Sequence, residues 1–293
     1  MRMPTIRLLA LLVLGFAPRA SLHAAEGVTT EADVVYGHKD GLALTFDVIK
    51  PAKPNGAGIL WLQSGGWYST WQDAKVWPFA GKPYLDKGFT LFIVRHGSAP
   101  KYAVPEAIED VRRAVRAIRS KSKRFGVDPE RLGVFGGSAG GHLSLMLGTT
   151  GDDGDPNAKD EVLKTSSRVA AVVAICPPTD LRGWTTNPPM AIKVIPGLKP
   201  PLTFDAKKEP DCSPILKAND KTAPTLLIHG DKDELVPFHH STKMLAVLEK
   251  EKVACKLLTI EGGGHGFTPK QNEVVLPAML DWFEKHLAKK KGG

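Results

Sequence analysis

A serine, an acid and a histidine stand in this sequence in an order and in surroundings that could activate a hydroxyl. Ser138 sits in Gly136-Gly137-Ser138-Ala139-Gly140-Gly141-His142. An acid at 231 or 233 lies in His229-Gly230-Asp231-Lys232-Asp233-Glu234-Leu235-Val236-Pro237, and His265 in Gly262-Gly263-Gly264-His265-Gly266-Phe267. A serine hydroxyl attacks a carbonyl only when a base takes its proton, and an imidazole does so once a carboxylate orients it and stabilises the imidazolium. G-x-S-x-G at a sharp strand-to-helix turn holds the hydroxyl at the tip. It also leaves the N–H of the next residue, Ala139, free at the helix N-terminus to hold an oxyanion. In a chain with 29 glycines that pattern alone carries little; its context gives it weight.

Each of the three residues follows an apolar run: 131–135 before Ser138, 225–228 before the acids, 255–260 before His265. Further strand-like runs lie at 59–62, 89–94 and 169–176, and helical stretches start near Pro105, after Ser138, and over 238–252 and 274–287. Strands alternating with helices from about residue 57 predict an α/β fold with a mostly parallel, doubly wound sheet. The loops at the carboxyl ends of parallel strands share one edge, so residues far apart in sequence can converge there. Before this, 32–36 and 42–49 are strand-like, with Leu42, Leu44, Phe46 and Val48 alternating with Ala43, Thr45 and Asp47 in the second. The Lys39-Asp40-Gly41 turn between them predicts an antiparallel N-terminal hairpin at the sheet's edge. Arg112, Arg113, Arg116 and Arg119 fall off the apolar face of the helix after Pro105 and read as solvated surface.

Gln63-Ser64-Gly65-Gly66-Trp67 follows the 59–62 strand. Gly65 and Gly66 are candidates for the other half of an oxyanion hole with Ala139; an ordinary tight turn is the alternative. Four of the six tryptophans crowd between Trp61 and Phe79, which fits either packing or a substrate surface; Trp67, Tyr68 and Trp71 are the candidate pocket residues. Residues 177–214 hold nine prolines without periodicity and read as a lid-like insertion, with Trp184, Met190 and Ile195 as its apolar underside. His142 is expected to pack against the turn and His229 to be structural; His96, His239 and His240 have no evident partner.

The 293 residues carry a formal charge of +8. Arg2 and Arg7, the apolar run 8–17 and small residues at 21–25 have the layout of a secretory signal peptide cleaved near Ala24 or Ala25. That predicts a secreted or periplasmic protein of one domain, 26–293, with no stable membrane anchor after cleavage. The leader holds three arginines and no acid, so +5 remains, scattered as solvated charge rather than gathered for nucleic acid. Cys176, Cys212 and Cys255 have no metal-ligand spacing, and a Cys212–Cys255 disulfide is left open. The acids of 152–160 match no calcium loop, so no metal is expected.

With these motifs in view, the chain resembles the α/β-hydrolases, and is similar to bacterial carboxylesterases, acetylxylan esterases and feruloyl-type esterases. The resemblance rests on the G-G-S-A-G-G turn, the H-G-D-K-D-E-L-V-P and G-G-G-H-G-F loops, and the segment from Arg95 to Asp110. It implies a Ser138–His265–Asp233 triad, with Asp231 a turn former, acting on a small-molecule or polysaccharide-linked ester without metal or cofactor. Hormone-sensitive-lipase-like relatives have His-Gly-Gly-Gly-Trp where this chain has Gln63-Ser64-Gly65-Gly66-Trp67. A prolyl-peptidase-like peptidase and a silent binding protein on the same scaffold are the alternative readings.

Overall fold

The computed structural model describes residues 27–289, so the expected leader at 1–25 lies outside the described residues. Eight strands form one sheet: β1 Thr29–Lys39, β2 Leu42–Lys50, β3 Gly58–Leu62, β4 Thr90–Val94, β5 Leu132–Gly137, β6 Ala171–Ile175, β7 Thr225–Gly230 and β8 Cys255–Ile260. Their order is β1-β2-β4-β3-β5-β6-β7-β8. β2 runs antiparallel to β1 and β4, and every other neighbouring pair is parallel. From β3 the chain steps outward to β4 and then back across to β5. The loops after β3 and β5 therefore part at the point where strand order reverses, the place where open α/β sheets bind ligands.

The central strands are apolar throughout because both faces are covered. In β4, Phe92 and Val94 join a core formed with the helices Val104–Ser120, Ala139–Thr150 and His239–Lys250. Leu91 and Ile93 face the other way, toward Trp77, Tyr84 and Phe283. Phe283, on helix Pro269–His286, sits where a Cβ on Gly133 would come within 2.8 Å of its ring, so the strand has glycine there. Burying a side chain such as Phe283 contributes about 1.5–3 kcal/mol.

Helix Pro269–His286 starts at Pro269 rather than Val274, because Thr268 and Gln271 form a reciprocal cap that a reading for apolar residues overlooks. The arginines of helix Val104–Ser120 are not the solvated face expected of them. Arg116 pairs with Asp152 at 2.6 Å, Arg113 with Asp160 at 2.6 Å, and Arg119 donates to the carbonyls of Pro129, Ser166 and Arg168. They hold the 150–168 connection against the helix by satisfying its carbonyls. Among the described residues no helix is long and apolar enough to cross a membrane.

Candidate active site

Ser138 takes φ 54° and ψ −119° between β5 and helix Ala139–Thr150. A non-glycine residue in this region costs about 1–3 kcal/mol and persists only where its surroundings hold it. Here the Ser138 N–H donates to Ile175 O at 2.7 Å, the His142 N–H to Ser138 O at 2.9 Å, and the Gly140 N–H to Ser64 O at 3.1 Å. Gly136 permits the turn, since a Cβ there would lie 2.5 Å from the carbonyl carbon of Gly140.

The loops after β5, β7 and β8 bring three side chains together. Ser138 Oγ lies 2.9 Å from His265 Nε2, and His265 Nδ1 lies 2.8 Å from Asp233 Oδ2. The carboxylate is fully bound: Oδ1 accepts from the N–H groups of Leu235 and Val236, each at 2.9 Å, and Oδ2 also accepts from His229 Nε2 at 3.1 Å. Burial alone would raise the Asp233 pKa. The hydrogen bonds from His229, His265 and Val236 overturn that and hold the carboxyl well below the usual carboxylate range, so it stays ionised. Asp231 points elsewhere, accepting the Gly262 N–H at 2.8 Å and tying the two loops to each other. His229, read as structural, thus touches the catalytic acid directly, and its Nδ1 bonds Ser241 Oγ at 2.7 Å.

The oxyanion donors differ from expectation at one residue. The Gly65 N–H is spent on Tyr68 O at 2.9 Å, within a tight turn closed by the Tyr68 N–H on Gly65 O at 3.0 Å. Gly66 and Trp67 follow at φ 56° and 60°, and both line the pocket at Ser138. Two successive left-handed residues aim consecutive N–H groups into one concavity, and neither N–H has an acceptor among the described residues. Ala139, first residue of its helix, supplies the third free N–H. The N–H groups left without an acceptor beside Ser138 are thus those of Gly66, Trp67 and Ala139, while that of Gly65 closes the turn.

A left-handed tryptophan is an outlier held by its side chain. Trp67 is buried, its Nε1–H donates to His142 Nδ1 at 3.1 Å, and its ring meets Trp184 edge-on at 6.3 Å. His142 then carries its proton on Nε2, which donates to Cys212 O at 2.7 Å. Burial lowers the His142 pKa to about 4, so the ring is neutral near pH 7. His142 thus joins the first turn of the nucleophile helix, the oxyanion loop and the 177–214 segment. His96 has a partner too: its Nε2 accepts from Ser64 Oγ at 2.8 Å while its Nδ1 donates to Gly97 O at 2.7 Å. An imidazole from the end of β4 therefore braces the loop that begins with Gln63 instead of histidine.

Segment 177–214 lies over the serine. Pro178, Trp184, Ile192 and Leu198 line a pocket of about 40 Å³ with Ser138, Gly66, Trp67, Leu235 and Val236. Leu198 presses on the oxyanion loop, its Cδ2 only 2.2 Å from where a Cβ on Gly66 would stand. Trp184 faces inward as expected, but Met190 and Ile195 are 69% and 40% exposed, and Ile192 and Leu198 take their places. Of the candidate pocket residues only Trp67 lines it. Tyr68 closes the turn with Gly65, and Trp71 lies on the surface with its Nε1 on Asp33 Oδ1 at 3.2 Å. Leu235 and Val236 also line the pocket and are signalled by standing directly beside the acid in sequence, whereas nothing in the sequence marks Leu198.

Among the described residues one group could offer a metal three ligands: Cys176, His229 and Asp233, all buried. Its donors are spent on one another and on Ser241 and Val236 O, and burial pushes the Cys176 thiol up so that it stays protonated. These residues fit a braced carboxylate rather than a metal centre. All three cysteines are free, which closes the Cys212–Cys255 question in this structure.

The profile of one protein family, BD-FAE, matches residues 46–248, more than half of the chain. The chain belongs to the BD-FAE family. It is also similar to "Esterase LipC" of Mycobacterium tuberculosis (strain ATCC 25618 / H37Rv), 30% identical over 62% of this chain and 46% of that protein. The chain spans about half or less of the length of such curated relatives. Among solved structures, a truncated carbohydrate esterase from gut microbiota superposes with a TM-score of 0.71 and 26% identity, over 89% of this chain and 97% of that one. An acetyl ester-xyloside bifunctional hydrolase from Caldicellulosiruptor lactoaceticus gives a TM-score of 0.72 at 24% identity, over 87% of this chain and 96% of that one. With these neighbours the fold is an α/β-hydrolase fold, its antiparallel strands at the N-terminal edge.

Proposed function

We propose that this BD-FAE family member is a serine carboxylic ester hydrolase that removes short acyl groups, acetyl above all, from carbohydrate esters. The observation that carries the reading is the hydrogen-bonded Ser138–His265–Asp233 relay opening into a pocket of only about 40 Å³. A pocket of that size suits an acetyl methyl better than a feruloyl ring. The kinship with an esterase and with a carbohydrate esterase supports the same chemistry.

In this reading Ser138 Oγ bonds to the ester carbon as its proton passes to His265 Nε2. The carbonyl oxygen becomes an oxyanion held by the N–H groups of Ala139, Gly66 and Trp67. When the tetrahedral adduct collapses, the C–O bond to the alcohol breaks and His265 returns the proton to the leaving oxygen. Water then gives a proton to His265 and attacks the acyl-enzyme, releasing the acid and restoring Ser138. The arrangement of residues 1–25 supports export, which N-terminal sequencing of the mature protein checks.

Hydrolysis of 4-nitrophenyl esters from acetate to dodecanoate, beside methyl ferulate and acetylated xylan, tests the function, with Ser138→Ala as blank. Acetate turned over fastest, with acetate released from xylan, is the expected result. Methyl ferulate cleaved faster than every short ester overturns the acyl assignment, and no turnover above the blank overturns the enzyme reading.

A further inference from the structure

We infer that a second cavity, backing onto the catalytic pocket through Trp184, binds a carboxylate-bearing ligand. Trp184 lines both spaces, edge-on to Trp67 at 6.3 Å on one side and to His240 at 5.7 Å on the other. The second cavity measures about 300 Å³, room for an organic molecule of sugar size.

Its polar wall offers donors and no free acid. His240 is 5% exposed, and its Nδ1 accepts the Thr179 N–H at 3.1 Å, which puts the ring's proton on Nε2. That Nε2–H has no partner among the described residues, and the ring borders the cavity. The cavity's one carboxylate, Asp180, is already committed to Arg182 at 2.9 and 2.6 Å. Lys243 lies three residues after His240 on the same helix face and has no acidic partner among the described residues. The first turn of helix His239–Lys250 borders the cavity through His239 and His240, its His240 and Ser241 N–H groups being spent on the Pro237 and Phe238 carbonyls. One uncompensated cation and a buried, unpartnered neutral N–H donor suit a monoanion. The remaining wall, with Pro189, Ile215 and Pro237, suits the carbon frame that bears it.

The carboxylate can belong to the alcohol part of the ester being cleaved or to a separate small molecule; the first case rests on the ester hydrolase reading. Titration calorimetry of the whole protein with sodium glucuronate, glucose and inorganic phosphate tests the site without any turnover. Saturable binding of glucuronate alone is expected, weakened about tenfold or more in Lys243→Glu, a surface change whose folding a thermal melt checks. Glucuronate that fails to bind, binds equally to Lys243→Glu, or binds more weakly than phosphate overturns the inference.

Kinetics then separates the sources. Acetylated glucuronate cleaved about tenfold better than acetylated glucose in kcat/KM assigns the carboxylate to the substrate. Free glucuronate altering 4-nitrophenyl acetate turnover without such a preference assigns it to a separate ligand. Should wild type turn over no ester, the hydrolase reading falls while the calorimetric result stands.

Discussion

The loops that carry the triad and the segment that roofs them are built by different means. Ser138, Asp233 and His265 each follow a strand of the parallel sheet, and the ends of β5, β7 and β8 fix where their loops begin. Segment 177–214 has no such base: one helix, Met190–Lys193, and several three-residue turns separated by prolines. Its shape comes from buried polar side chains. Glu209 accepts the N–H groups of Gly183 and Thr185 at 2.6 and 2.8 Å, and Ser213 Oγ accepts the Leu181 N–H at 2.9 Å. Chemistry thus sits on the regular part of the molecule, and the irregular part sets what reaches it. The two meet at His142, which bonds Trp67 on one side and Cys212 O on the other.

If that division holds, changes in the triad loops destroy turnover whatever the ester. Ser138→Ala should lower kcat for 4-nitrophenyl acetate by a factor on the order of 10⁴ or more while leaving the melting temperature near wild type. Asp233→Asn should cost about 10³–10⁴ in kcat, because the amide cannot stabilise the imidazolium, whereas Asp231→Asn, at a carboxylate that accepts the Gly262 N–H rather than facing His265, should cost about tenfold at most. Equal losses at 231 and 233 would mean that the two loops act through their tie rather than through the carboxylate beside His265.

The joint between the regions should show itself in acid. His142 is fully buried with its pKa held at about 4, while the unfolded chain has the ordinary value of 6.5. Between these values the unfolded state binds a proton that the folded state refuses. The contribution is therefore complete above pH 6.5 and lost as pH falls toward 4, at about 1.4 kcal/mol per unit and about 3 kcal/mol in all. Urea unfolding of wild type and His142→Gln at pH 7 and pH 4.5 measures it. The variant should lose less stability on acidification, and parallel losses would remove His142 from the account.

The same division governs what the sequence disclosed. Strand order, the two-faced core and the convergence of Ser138, Asp233 and His265 follow from apolar runs ending in loops, and these were legible. Gly65 and Gly66 look alike in sequence; only the Tyr68 carbonyl, reached through the turn, decides which N–H stays free. The Arg112–Arg119 face looked solvated because hydrogen bonds to the carbonyls of a loop 30 to 50 residues downstream leave no periodic trace. Met190 and Ile195 face outward against expectation because proline-broken turns have no repeat from which to infer a face. His96 and His142 gained partners only through folding.

Trp67 tests the joint from the side of the oxyanion hole. Trp67→Phe keeps an aromatic ring against Trp184 but removes the donor to His142, leaving that buried nitrogen unpaired and the left-handed backbone less firmly held. A loss of about tenfold in kcat with little change in KM is expected, since the affected N–H binds the oxyanion and not the ground-state ester. A rise in KM with kcat intact would make Trp67 a wall of the pocket and no more.

The smallest effect should come from the roof alone. Leu198 presses on Gly66 and shares the pocket wall with Ser138, but forms none of the hydrogen bonds of the triad. Leu198→Ala should leave acetate turnover within about threefold of wild type, because His265, Asp233 and the three N–H donors keep their places. The vacated methyl groups lengthen the acyl pocket, so kcat/KM for butyrate relative to acetate should rise by about three- to tenfold, the worth of one or two methylenes in an apolar slot. If the ratio stays fixed while both rates fall together, the roof is supporting the oxyanion loop rather than measuring the acyl chain. Selectivity would then have to be sought in Trp184 and Ile192.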